Sequence, residues 1–417
     1  MKTKSVALVA TVAAAGIAAP PVQQKVTGPI ATYWVSASTA SGFGFGGMGA
    51  GGGRPSMGDV FSMMRGGGGR ANHALLLQLG STQRAAGAPE ANHFPGSAAP
   101  LLLLTPQAAP PPRREETVEE QPSMPERPKG RILLYWGCGD HAGPGQPTIL
   151  DFSKMLDGQQ MPRLPYVAVR HETPPSPGRS TTYGEWPNSK SRARVPESLL
   201  GDHAVRGNYA PEIRFNLPPG KDYMPSIQLD AGAKSPAGAT ILRWQPVTGA
   251  TGYFAMLFGA NGRGSREQGT DIVMWSSSGV STFAGGGLLD YLAPAEVRRL
   301  TGLKVTMPPT QTECRVPAEV TQAAPTGLVS MIAYGEEANF VDPPRPADPK
   351  VPWNISWQAK VRFKSTTGLI LGMQGGMGGR GGNAEEGRKP EQQDQQPQGK
   401  KKKSGLFDAL KGAVSPF

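Results

Sequence analysis

Cysteine and histidine are scarce in this chain. Two cysteines, Cys138 and Cys314, stand among 417 residues, which excludes a disulfide-dense small scaffold and any zinc site built on a full set of thiolates. The five histidines are His73, His93, His141, His171 and His203, and none stands four residues from another, so the helical metal-ligand spacing is missing too. There is no G-x-S-x-G sequence, which removes the nucleophile elbow of the α/β-hydrolases. Charged residues are only 18% of the chain, too few for long solvated helices laced with ion pairs. The adjacent carboxylates Glu119-Glu120 and Glu336-Glu337 point to opposite faces if they lie in strands, so neither pair is a ready acid–base couple.

Chain-breakers are abundant instead. With 56 Gly and 42 Pro, the composition fits many short strands joined by turns. Roughly 300 residues are available to fold, enough for about two domains with proper cores. The formal net charge of +11 is spread thinly except at the C-terminus. It implies a general attraction to an anionic membrane, lipopolysaccharide or acidic polysaccharide, and no nucleic-acid motif accompanies it.

At the N-terminus, Lys2 and Lys4 precede an uncharged small-and-apolar run from Ser5 to Ala19, and Ala13-Ala14-Ala15 offers a small-x-small cleavage site. This pattern predicts a secretory signal peptide over residues 1–19 and an exported protein, in the periplasm, the cell envelope or outside the cell. The run is too short to span a bilayer and meets Pro20-Pro21. In an oxidising compartment Cys138 and Cys314 can form one disulfide across about 176 residues, on the order of 5 kcal/mol in the chain-entropy model. Two buried, unpaired thiols are the other reading.

Strand-like segments then follow at Ile30 to Ser38, His73 to Ser81, Leu101 to Thr105, Arg131 to Trp136, Tyr166 to His171 and Glu212 to Leu217. A glycine-rich loop over 42–69 and a proline-rich loop over 106–129 interrupt them. Gly42, Gly44 and Gly47 meet the dinucleotide-binding spacing, but more glycine follows where a helix N-terminus is required. These segments predict an N-terminal β domain over residues 26–220.

In the second half, Ala239 to Trp244, the turn Pro246 to Gly252 and Tyr253 to Phe258 read ATILRWQPVTGATGYFAMLF. This stretch resembles the opening strands of a fibronectin type III or related immunoglobulin-like sandwich, closely over some 20 residues and loosely over 221–371. The resemblance implies a β-sandwich and says almost nothing about a ligand. Independently, Trp357, Ala359, Val361 and Phe363 alternate with Gln358, Lys360, Arg362 and Lys364, a half-buried strand with one apolar and one cationic face. Ile272 to Trp275 and Leu328 to Tyr334 are also strand-like. Leu288 to Leu300 carries a short helix starting at Pro294, an insert that a regular fibronectin type III domain lacks. The predicted fold class is mainly β: two antiparallel β-sandwich-like domains with long Gly/Pro-rich loops and a disordered C-terminal tail.

Several residues invite a functional reading. If Tyr253, Ala255 and Leu257 face the core, Phe254, Met256 and Phe258 form an outward row too apolar for water. It is expected to pack on the first domain or on another subunit of a homo-oligomer, unless the insert covers it. Cys138, Asp140 and His141 follow one strand, and His171-Glu172 another. Converging, they would supply a nucleophile and its base or metal ligands; apart, they are polar turn residues. Tyr183, Trp186 and Tyr209 sit in proline-rich loops, to stack on sugars or to pack on the sheets. The tail over 372–417 ends in Lys400, Lys401, Lys402 and Lys403, then an amphipathic piece with Leu406, Phe407 and Leu410 on one helical face. This combination suits reversible attachment to an anionic membrane surface or docking on a protein.

The expected function is therefore that of a non-enzymatic secreted or cell-envelope protein that binds a partner protein, a glycan or an anionic surface. The competing classes are a periplasmic enzyme with its site in an interdomain cleft near Cys138, Asp140 and His141, and a structural subunit of an extracellular assembly. No cofactor or metal is implied.

Overall fold

The computed structural model describes residues 23–42, 71–96, 98–105, 130–151, 167–191, 193–261, 271–281 and 286–372. The expected signal peptide, nearly all of the glycine-rich loop, the proline-rich loop and the tail with Lys400 to Lys403, Leu406, Phe407 and Leu410 lie outside the described residues. Strands take 46% and helices 8% of the described chain, so the fold is mainly β. In chain order the strands are β1 (Val26–Thr27), β2 (Ala31–Gly42), β3 (Asn72–Ser81), β4 (Ala91–Pro95), β5 (Leu101–Leu103), β6 (Arg131–Trp136), β7 (Thr148–Asp151), β8 (Thr182–Trp186) and β9 (Gly201–Gly207). They continue as β10 (Ile213–Leu217), β11 (Leu229–Lys234), β12 (Thr240–Trp244), β13 (Gly252–Asn261), β14 (Asp271–Ser276), β15 (Glu313–Val316), β16 (Gly327–Asp342), β17 (Trp353–Asn354) and β18 (Trp357–Ile370). Helix α1 (Pro294–Gly302) precedes β15 and helix α2 (Ala318–Ala323) follows it.

Nine strands form one sheet in the order β7-β6-β14-β13-β16-β18-β2-β3-β8. A four-stranded sheet, β10-β9-β4-β5, and a three-stranded sheet, β11-β12-β15, accompany it, with β1 and β17 as a short pair. Pairing is antiparallel except at β1–β17, β6–β14 and β2–β18. The boundary expected near residue 220 falls between β10 and β11, and the nine-stranded sheet runs on across it. β2 lies beside β18 from Ala31↔Trp357 to Gly42↔Gly368, and β6 lies beside β14. The two halves of the chain therefore meet through backbone hydrogen bonds of one sheet. Local patterning carries no signal for such pairing, because the partners are hundreds of residues apart in sequence.

Period-two alternation decides which side chains enter which layer. Tyr33, Val35 and Ala37 of β2, Trp357, Ala359, Val361 and Phe363 of β18, and Tyr253, Ala255 and Leu257 of β13 share the main core with Leu242 and Trp244 of β12 and Val205 and Phe215 of β9 and β10. The two smaller sheets thus cover one face of the large sheet in a sandwich-like arrangement. On the opposite face α1 and the turn before it close a second, smaller core: Phe254, Ile332 and Tyr334 meet Leu288, Leu292, Val297, Leu300 and Val305. The Phe254 row, expected to pack on the first domain or another subunit unless the insert covers it, meets the insert, and Val167 and Val169 of the first half pack against the same cluster. Phe254 is fully buried beneath the insert, Met256 packs at its margin and Phe258 is half-buried.

Tyr183, Trp186 and Tyr209 are buried, so they pack between layers and are not free to stack on sugars. The strand expected over Tyr166 to His171 does not form: residues 167–171 join no sheet. β4, β8 and β9 were not legible as strands, since ANHFP, TYGEW and GDHAVRG carry proline, glycine and histidine where β-formers are usual. Cys138 and Cys314 are joined in a disulfide with Cα atoms 5.1 Å apart, tying the turn after β6 to β15 of the three-stranded sheet.

Candidate functional site

The cationic face of β18 is where the structure departs most from an ordinary sheet surface. Parallel register with β2 sets Lys360 beside Trp34, Arg362 beside Ser36 and Lys364 beside Ser38. The small serines leave room over the sheet, and the Arg362 guanidinium fills it, clamped between the rings of Trp34 at 4.7 Å and Tyr291 at 4.4 Å. Its Nε donates to Ser36 Oγ at 2.7 Å. Lys364 Nζ stands 4.4 Å from the Tyr291 ring, donates to the Leu289 carbonyl at 3.3 Å and lies 3.8 Å from Asp290. Lys360 Nζ donates to both oxygens of Glu172 at 2.6 Å and to Glu337 at 3.2 Å.

These groups are held by elements that the insert organises. Pro294 starts α1 with the fixed φ a first helical turn accepts. Glu296 in that turn is gripped by Arg299 at 2.6 Å and accepts the Arg170 backbone N–H at 2.9 Å, while Arg299 also donates to the Ala168 carbonyl at 2.6 Å. The same helix that buries Phe254 therefore anchors residues 168–170, and the chain continues from there to Glu172 over Lys360. The bond to Arg299 holds the Glu296 carboxyl below its usual range. Ahead of α1, the turn at Gly286–Leu289 delivers Asp290 and Tyr291 to Lys364 and Arg362.

Burial dominates the electrostatics. It pulls the Lys364 ammonium down to about 8, with Asp290 partly offsetting and Arg362 adding to the shift. It raises the Glu337 carboxyl, against the attraction of Lys360, and works against the charge of Arg362, which is only 9% exposed. Three cations face three carboxylates, of which Glu172 and Asp290 stand at the rim with side chains 43% and 49% exposed. Among the described residues, no acceptor is bonded to Nη1 or Nη2 of Arg362, whose one bond is made through Nε. A guanidinium edge held by two rings is chemically suited to receive a carboxylate, phosphate or sulfate group. Glu172 and Asp290 already occupy the flanking lysines, so any incoming anion would compete with them.

The polar cluster expected around Cys138 does not assemble. Asp140 pairs with Arg315 at 2.8 Å and His141 with Glu319 at 3.0 Å, both near the surface. His171 lies over Gly287, and Glu172 belongs to Lys360. Cys138 is taken up in the disulfide. Among the described residues no group of three or more His, Cys, Asp or Glu side chains is arranged to hold a metal ion.

Two histidines that spacing left unconnected do meet. His93 Nδ1 lies 2.9 Å from the Tyr33 hydroxyl, His93 Nε2 lies 3.1 Å from His203 Nδ1, and His203 Nε2 lies 2.6 Å from the Leu199 carbonyl. Phe215 stacks on His203 with ring centroids 4.9 Å apart. The chain spans the gap between the nine-stranded and four-stranded sheets and is buried from end to end. No signal in the sequence links residues 110 apart in this way.

Comparison with family models, curated proteins and solved structures gives no match to this chain. The functional reading therefore rests on the geometry above. No helix among the described residues is long and apolar enough to cross a membrane.

Proposed function

We propose that this is an exported, non-enzymatic β-sandwich protein that binds an anionic partner, an acidic glycan or an acidic group of an envelope protein or surface. The observation that carries the reading is the Arg362 guanidinium, clamped between Trp34 and Tyr291 with its Nη edge unbonded among the described residues. Lys364 supports it, since a buried lysine pulled down to about 8 opposes folding, and groups perturbed in this way cluster at functional sites. The disulfide supports export, because such bonds persist in oxidising compartments. The lysines at 400–403 add a second, diffuse attraction to the same class of partner.

We read residues 221–371 as a fibronectin type III-like unit within this body. In an immunoglobulin-type sandwich, strands A, B and E share one sheet and C, F and G the other, with C′ beside C where present. The division of β11-β12-β15 from β14-β13-β16-β18 supports that reading, as does Trp244 packed edge-on against Tyr253 at 5.5 Å. On this view β6 and β7 extend the second sheet at the C′ edge, and β2, β3 and β8 extend it at the G edge.

The test is calorimetric titration of the mature chain with dextran sulfate and with polygalacturonate, using neutral dextran as control. Salt-sensitive binding to the acidic polymers is expected, weakened by Lys360→Gln in a chain lacking residues 400–417. Binding that disappears with the tail alone and ignores Lys360→Gln overturns the β18 face as the site.

A further inference from the structure

The buried chain of Tyr33, His93, His203 and the Leu199 carbonyl has only one neutral arrangement of protons. A carbonyl accepts and never donates, so His203 carries its hydrogen on Nε2, 2.6 Å from Leu199 O. Neutral His203 then offers the lone pair of Nδ1, which accepts from His93 Nε2–H at 3.1 Å. His93 Nδ1 in turn accepts from the Tyr33 hydroxyl at 2.9 Å. Every donor and acceptor of both rings is used, and the chain holds no net charge.

An added proton has no good place. On His203 Nδ1 it faces the His93 N–H at 3.1 Å. On His93 Nδ1 it strips the Tyr33 hydroxyl of its acceptor and leaves an imidazolium at 0% exposure. The titratable groups around the pair are Tyr33 on β2, Tyr209 after β9 and Asp202 on β9. Asp202 is exposed and bonded to Asn216 Nδ2 of β10 at 2.8 Å. β10 and β16 bring Phe215 and Phe340, stacked at 4.9 Å, and none of their charged residues is among the groups that shift the pair. No buried counterion therefore stands ready for an imidazolium among the described residues. Burial accordingly lowers both histidines, His93 well below its ordinary 6.5.

The rings are mounted on β4 and β9 of the four-stranded sheet, and the hydroxyl on β2 of the nine-stranded one. We propose that this chain is an acid-operated latch: proton uptake by the two imidazoles releases the four-stranded sheet from the nine-stranded sheet, which stays folded. Opening binds up to two protons that the closed state refuses. The opening equilibrium therefore grows below 6.5 by up to about tenfold per pH unit for each imidazole, and so by up to about 100-fold for the pair. The inference is independent of anion binding at Arg362.

Hydrogen exchange of the full mature chain from about pH 7.5 to 5, corrected for the intrinsic pH dependence of exchange, reads that slope directly. Protection in β4 and β9 is expected to fall by more than tenfold, and up to about 100-fold, per pH unit below 6.5 while protection in β16 and β18 holds. In His203→Gln the slope is expected to drop to about tenfold. In Tyr33→Phe, which leaves both imidazoles in place, the slope persists from a lower starting protection. A flat profile in β4 and β9 overturns the proposal, as does loss of protection in all sheets together.

Discussion

The molecule buries two polar clusters against its large sheet, one on each face, and they are built on opposite terms. On the face shared with the four-stranded sheet, Tyr33, His93 and His203 form a neutral chain with each ring nitrogen satisfied. On the other face, the cations Lys360, Arg362 and Lys364 pack among Trp34 and Tyr291, and two of their three counterions, Glu172 and Asp290, sit at the rim. A closed neutral network stabilises and specifies a packing, because losing one member strands the others. A charged network with unbonded donors and solvent-facing counterions contributes little to folding and is suited to taking up a further anion. The contrast underlies both proposals: a structural, proton-sensitive role for the first cluster and anion binding for the second.

Mutations should separate the two most sharply at neutral pH. His93→Ala leaves the Tyr33 hydroxyl and His203 Nδ1 unpaired around a new cavity, so urea unfolding is expected to show a loss of about 3–5 kcal/mol. Lys364→Met should act in the opposite direction, raising stability by roughly 1–3 kcal/mol in the same assay, because it removes a buried charge and keeps the volume. A loss instead of a gain on Lys364→Met would place both clusters in the same structural class.

The pH profiles should diverge as well. The folded Lys364 binds fewer protons than the unfolded chain between about 8 and its ordinary 10.5. Stability from this group therefore rises across that window and is flat below it, and Lys364→Met should abolish the rise. The histidines act at the other end. Their lowered folded values leave stability intact above 6.5 and erode it as the pH falls below. Denaturation midpoints measured across both windows check the signs. The smallest effect belongs to Glu172→Gln, whose exposed carboxylate should change stability by less than about 1 kcal/mol. It should nonetheless tighten dextran sulfate binding several-fold, since it frees Lys360 from its internal competitor.

Part of this was legible in the residues themselves. The alternation from Trp357 to Lys364 announces a strand with one apolar and one cationic face, and β18 is that strand. The start of α1 follows from Pro294 and the acidic first turn. The ATILRWQPVTGATGYFAMLF stretch marks β12 and β13. What could not be read is who stands across from these elements. Trp34 reaches Arg362 from more than 300 residues away, and Tyr291 arrives on an insert whose register depends on the core beneath it. The cluster that spacing did put forward, Cys138, Asp140, His141 and His171, disperses because proximity in sequence at a turn leaves side chains free to choose separate partners.

The sequence by itself determined the longer elements, among them β2, β3, β6, β12, β13, β16, β18 and the start of α1: period-two alternation and turn chemistry act over a few residues, and nothing distant need be known to read them. The tertiary structure alone decided the joining of the two halves into one nine-stranded sheet, the insert as the cover of Phe254, the meeting of His93 with His203 and the clamping of Arg362. Those outcomes depend on backbone pairing and packing between segments far apart in the chain, where the free energy comes from partners that no local pattern names.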